Sequence, residues 1–165
     1  MKLEVTHENL MKALGVVTRI VGLRSTLPVL NNVLLATEKG RLRLSATDLE
    51  LGITTTIGAK IEREGSFTAP AKLFGDFIAT VPGATISLEQ KESTLAVKAG
   101  ESEAALKGLP ADEFPVIPEI KSDPLLTLSP LLVKEALKKA AVACALDETR
   151  PALSGVLFSL GANGL

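Results

Sequence analysis

The stretch "TLPVLNNVLL", Thr26–Leu35, returns as "TRPALSGVLF" at Thr149–Phe158. The offset of 123 residues holds without a gap well beyond these ten positions. Leu3 falls on Leu126, Ala13 on Ala136, Leu14 on Leu137, Leu23 on Leu146 and Leu42 on Leu165. Conservative pairs fill in around them: Val5 with Leu128, Thr6 with Ser129, Leu10 with Val133, Leu35 with Phe158. Leu- and Ala-rich segments coincide by chance at some positions. Chance does not keep Thr-x-Pro-x-Leu-x-x-Val-Leu in register with a whole upstream segment. The chain therefore carries a tandem duplication, and a repeat decides the architecture before any local propensity does.

Outward from the first copy, "KLEVT" alternates as a short strand and Thr6 stands where a helix N-cap belongs. Leu10, Leu14, Val17 and Val21 line one face of a helix running to about Val21, with Lys12 and Arg19 nearly opposite. Gly22 and Pro28 break it. Strands are expected at Val29–Thr37, Arg41–Ala46 and Leu49–Ile57, with "EKG" and "TD" as turns. The same order then recurs. "GSFTAP" leads into a helix that starts at Pro70, with Leu73, Phe74, Phe77, Ile78 and Val81 as its apolar face and Lys72 and Asp76 away from it. Strands follow at Thr85–Gln90, Thr94–Lys98 and Glu103–Lys107. Two strand–helix–three-strand halves, helices on one face and antiparallel sheets on the other, make an α+β domain.

The Pro-rich, acidic run "LPADEFPVIPEIKSDP" marks the boundary. The reading is a first domain over 1–120, a linker over 121–125 and an incomplete second copy over 126–165. Leu126–Leu128 should be a strand, Ser129 an N-cap and Pro130 the first helical residue, with Val133, Leu137, Ala140 and Cys144 facing inward. One helix and little more than one strand are too little to close a core.

Composition narrows function. Apolar residues make up 46% of the chain and charged ones 22%, a globular balance. With five Phe and neither Tyr nor Trp, base-stacking platforms are disfavoured. A net charge of −1 supplies no overall positive field, so any DNA role must rest on a local basic face or on topology. The single cysteine permits no internal disulfide, and no apolar run reaches the length of a membrane span. A soluble, cytoplasmic protein is expected.

Nothing points to catalysis. His7, the only histidine, sits at a helix start and leaves no His-based triad or His-rich metal site. Cys144 reads as an inert side chain on an apolar helix face. Asp48 and Glu50 in "ATDLEL" read as turn and strand-surface residues rather than a catalytic carboxylate pair. "GITTTIGAK" superficially resembles a phosphate loop, but it has a residue too many before the second Gly, an Ala before the Lys and no following helix. No cofactor is expected.

"GLRSTLPVLNNVLLAT…LRLSATDLELGI", "FTAPAKLFGDFI", "LPADEFPVIPEI" and "DETRPALSGVLF" together resemble the bacterial DNA polymerase III beta subunit, the sliding-clamp family, in order and over the whole chain. The resemblance implies three similar domains per chain, and two chains joined head to tail as a homodimeric ring around duplex DNA. The present sequence corresponds to the first domain and the opening of the second. In that family the helices line the bore and the sheets form the outer wall. Lys12, Arg19, Lys72, Lys134 and Lys138 would then face DNA phosphates, and Arg24 matches a DNA-touching position. Arg150 and Leu153 match positions bordering the cleft for partner peptides. Phe77, Val81, Ala104 and Leu106 match the subunit interface. The implied partners are double-stranded DNA, bound without sequence preference, DNA polymerase III and the clamp loader, with no membrane and a nucleoid-associated location. The implied role is processivity, not catalysis. The alternative is a protein-interaction module unable to close a ring.

Overall fold

The computed structural model describes residues 1–22, 27–118, 123–124, 126–145, 150–159 and 161. The chain divides into two compact units, Met1–Pro118 and Glu119–Leu165.

In the first unit, β1 (Lys2–Thr6) leads into α1 (His7–Val17), followed by β2 (Asn32–Glu38), β3 (Arg41–Thr47), β4 (Gly52–Gly58) and β5 (Lys60–Arg63). The second half runs β6 (Ser66–Pro70), α2 (Ala71–Thr80), β7 (Thr85–Lys91), β8 (Thr94–Ala99) and β9 (Ser102–Lys107). Two antiparallel sheets form, ordered β5-β1-β7-β8-β9 and β4-β3-β2-β6. The halves exchange their leading strands. β1 pairs with β7, Leu3 opposite Leu88 and Val5 opposite Ile86, while β6 pairs with β2, Val33 opposite Ala69 and Leu35 opposite Phe67. Alternate strand residues and the inner faces of both helices meet in one core, in which Leu3, Leu10, Leu35, Leu44, Phe74, Ile78, Leu88 and Val97 are fully buried.

Several boundaries differ from the sequence reading, each for a local reason. The first helix stops at Val17 and tightens into a 3-10 turn, Thr18–Ile20. There the Thr18 hydroxyl donates to the Leu14 carbonyl at 2.7 Å. Pro28–Asn31 is a second 3-10 turn, so the strand expected from Val29 begins at Asn32. Pro70 ends β6 and caps α2 rather than opening it. Leu73, assigned to the apolar face of α2, is 60% exposed. Strand β5 has no counterpart in the sequence reading. Its sequence, "KIER", alternates poorly, and it is held by Ile61 opposite Leu3 and by ion pairs Lys2–Glu62 (2.7 Å) and Lys60–Glu4 (3.3 Å). The hairpin from β2 to β3 turns at Lys39 and Gly40, both at positive φ (48° and 76°). A two-residue turn that follows the strand twist requires that geometry.

Leu49–Leu51 is a turn rather than the start of a strand. Asp48 Oδ1 accepts the backbone N–H groups of Leu51 (2.7 Å) and Glu50 (3.0 Å), and Thr47 Oγ1 accepts that of Leu49 (3.0 Å). Short polar side chains compete in this way for backbone that a strand would otherwise use. These bonds, led by that from Leu51, hold the Asp48 carboxyl below its ordinary range. A carboxyl depressed in the folded state stabilises fully above its unfolded value of about 4 and loses that contribution as pH falls through the folded value. The stability difference between the native chain and Asp48→Ala should thus be constant from neutrality to about pH 5 and shrink below about pH 4. Denaturant titrations at stepped pH check this; a difference that stays constant or grows on acidification would contradict it.

The first part of the acidic, Pro-rich run packs on the first domain. Leu109 and Ile117 pack with Phe114, Val29, Leu30 and Leu34 in a small second cluster on the other face of β2, and Phe114 is 6% exposed. This strap is pinned by Thr68, whose hydroxyl donates to the Leu109 carbonyl (2.7 Å) and accepts from the Leu109 N–H (3.0 Å) and Asn32 Nδ2 (3.0 Å).

In the second unit, α3 (Pro130–Ala140) is followed by a 3-10 turn at Ala141–Ala143 and another at Pro151–Leu153. Under the 123-residue offset these limits coincide with α1, Thr18–Ile20 and the start of Pro28–Asn31. The strand expected at Leu126–Leu128 is not formed, and the expected inward face of α3 is open: Leu137 is 36% exposed and no residue of α3 is buried. A helix satisfies its hydrogen bonds locally, whereas a strand needs a partner ladder.

Candidate nucleic-acid interface

Helices α1 and α2 pack against each other, α1 also against β3 and β4, and α2 against β2, β6 and β9. Between the helices lies a groove of about 650 Å³, with Met11, Gly15, Thr18, Lys72, Leu73 and Gly75 among its walls. Of the four cations that the sequence assigned to the first domain, Lys12 on α1, Arg19 just after it and Lys72 on α2 are described, and all three are exposed. Lys12 and Arg19 have partners on their own helical segment. Lys12 Nζ lies 2.5 Å from Glu8 Oε1, an i,i+4 pair on α1. Lys12 holds the Glu8 carboxyl below its ordinary range by hydrogen bonding and by charge. Arg19 Nε donates to the Gly15 carbonyl at 3.1 Å. Lys72 has Asp76 one turn on, also exposed. The sequence reading missed the Glu8 partnership, although its spacing was the signal.

Arg24 lies outside the described residues. Lys134 and Lys138 are exposed on α3 in the other unit. Under the repeat they fall on Met11 and Gly15 rather than on Lys12 and Arg19, so the cations of the two copies occupy different rows of equivalent helices. Arg150 and Leu153 are brought together in one turn. The Leu153 N–H donates to the Arg150 carbonyl and its own carbonyl accepts the Ala145 N–H, both at 2.9 Å, while Leu153 stays 55% exposed. Of the four interface candidates, Val81 and Leu106 are buried within the domain's own core, and Phe77 and Ala104 are half-buried. Ala104 and Leu106 sit on β9, which ends its sheet, and Glu103, Ala105 and Lys107 alternate with them on the exposed face. Among the described residues no group of three His, Cys, Asp or Glu is placed to hold a metal ion, and no helix is long and apolar enough to cross a membrane.

Residues 1–118 match the family of the DNA polymerase III beta subunit, N-terminal domain. The chain belongs to that family. Among curated relatives, the beta sliding clamp of Synechococcus elongatus is 38% identical over 168 residues, covering 100% of this chain and 45% of the relative. That of Synechocystis is 37% identical over 94% of this chain and 42% of its own length. Among solved structures, Caulobacter crescentus pol III beta aligns with a TM-score of 0.86 at 35% identity, over 94% of this chain and 42% of that one. The DNA polymerase III subunit beta from Pseudomonas aeruginosa gives 0.86 at 32% identity, over 94% and 43%. The chain thus spans less than half the length of these beta subunits and has the fold of the corresponding part of them.

Proposed function

We propose that this chain is the amino-terminal portion of a beta sliding clamp, a ring-forming processivity factor that encircles duplex DNA and tethers the replicative polymerase. The match of residues 1–118 to the beta-subunit N-terminal domain carries the reading. The duplicated helix supports it, since a ring of similar domains is what tandem copies would build. In that assembly Lys12, Arg19 and Lys72, with Arg24 and the second unit's Lys134 and Lys138, face the phosphates. Such contacts are sequence-independent and screened by salt, so retention comes from topology and weak contacts permit sliding. The β9 edge with Phe77, Val81, Ala104 and Leu106 forms the head-to-tail joint, and Arg150 and Leu153 border a cleft for peptides of the polymerase and clamp loader. The protein works in the cytoplasm, on the nucleoid, and does no chemistry of its own.

The second reading is an interaction module that cannot close a ring. Topology separates the two readings. Loaded on a closed circular plasmid, the whole protein of which this chain is a portion stays bound through gel filtration if it is a clamp and is lost once the plasmid is cut. Equal recovery from cut and uncut plasmid, or none from either, gives the interaction module.

A further inference from the structure

The helical face has an unexpected charge arrangement. A surface built only to attract phosphate would carry unopposed cations, yet Glu8 and Asp76 stand exposed among Lys12, Arg19 and Lys72. Burial does not explain the Glu8–Lys12 pair, whose side chains are 71% and 68% exposed. The order is the favourable one, Glu one turn before Lys. Glu8 also lies in the first turn of α1, where a negative charge suits the helix dipole. Glu8 is therefore held in place by its own helix, and it holds Lys12 with it.

We propose that Glu8 is a positioning residue that restrains the grip of this face on DNA by tying Lys12 to α1, so that each phosphate contact must first displace an ion pair. The inference rests on the reading of the α1–α2 face as the DNA-facing one and adds its regulation. Lys12 then meets a phosphate only by giving up its ion pair, so its contact is the most easily exchanged of the three. A face so arranged exchanges phosphates with little hold on any one of them.

The test is duplex binding by the full chain, measured by fluorescence anisotropy of a labelled oligonucleotide over about 20–200 mM salt, where each engaged phosphate adds about 0.9 to the slope of log K against log salt. Glu8→Gln keeps the side-chain shape and frees Lys12. It should steepen the slope by about one and tighten binding at least threefold at low salt, the gain fading as salt rises. Lys12→Gln should cost less in the native background than in the Glu8→Gln background, where it should reverse most of the gain, a non-additivity that a merely structural role would not produce. An unchanged slope in Glu8→Gln, or strictly additive effects, overturns the proposal. Arg19→Gln with Lys72→Gln tests the underlying reading separately. If that pair leaves binding and slope untouched, the face does not meet DNA and both readings fall. If it weakens binding while Glu8→Gln has no effect, only the restraint fails. Circular dichroism and unchanged melting temperatures confirm folding in each variant.

Discussion

Replacing Gly108 by Ala should cost the first domain about 3 kcal/mol or more, a large share of an ordinary native margin of about 5–15 kcal/mol. A Cβ at this position would overlap the Thr68 carbonyl oxygen and stand 2.5 Å from Phe67 Cζ. Neither neighbour can give way easily. Thr68 is fully buried in β6 with its backbone in the ladder to β2, and Phe67 is 2% exposed in the core. Gly108 is also tethered from the other side, its N–H donating to the Ser93 carbonyl at 3.1 Å. The strand exit would have to lift away from β6, and lifting it breaks the bonds between Thr68 and Leu109. Thr68→Val tests the same clip without the clash. It removes three hydrogen bonds and strands the polar groups of Leu109 and Asn32. The expected loss is about 2–4 kcal/mol. Urea unfolding followed by circular dichroism measures both variants, since the chain has neither Tyr nor Trp. Gly108→Ala within about 0.5 kcal/mol of the native chain would show that the strap does not hold the strand exit.

Phe74→Ala should be as damaging, at about 3–5 kcal/mol and a fall in melting temperature of roughly 10–20 °C. Phe74 is fully buried on α2, and α2 is wedged between α1 and strands of both sheets. Truncation leaves a void where the two halves of the domain share their packing, and elements fixed by two sheets cannot readily collapse into it. The control is the preceding residue. Leu73 is equally apolar but 60% exposed on the groove wall. Leu73→Ala should therefore stay within about 0.5 kcal/mol of the native chain. Equal losses at 73 and 74 would mean that α2 is rotated from the orientation described.

Those two neighbours illustrate what was legible in the sequence. Helical periodicity put both Leu73 and Phe74 on one apolar stripe, but periodicity cannot set the stripe's edge, which depends on how wide a surface the sheets present. The helices, hairpins and α+β class were legible because their signals are local. The strand exchange was not: β1 finds Ile86 and Leu88 far along the chain, and no pattern within "KLEVT" names its partner. For the same reason the repeat transferred to α3 with its limits intact and failed at Leu126–Leu128. The counterpart of that strand is completed by β7, which belongs to the other half of its domain. At the candidate interface, residue types and rough faces were readable. The Glu8–Lys12 link could have been read from spacing alone, whereas the burial of Val81 and Leu106 in their own core needed the three-dimensional arrangement. The Pro-rich run was legible as a boundary by composition, but the packing of Phe114 that fixes its first half to the domain was not.

The exchange of leading strands has a consequence for how the chain comes off the ribosome. Lys2–Thr6 emerges long before its partner β7, which is complete only at Lys91, and the Met1 carbonyl takes its bond from the Gln90 N–H. The first half therefore cannot finish folding when its last strand emerges. β5 can take one edge of β1 within the first half, but the other edge must wait until most of the domain has been translated. Nascent chains stalled before residue 85 should then lack the protease resistance that chains carried past residue 118 acquire, and the domain should appear in a single late step rather than half by half.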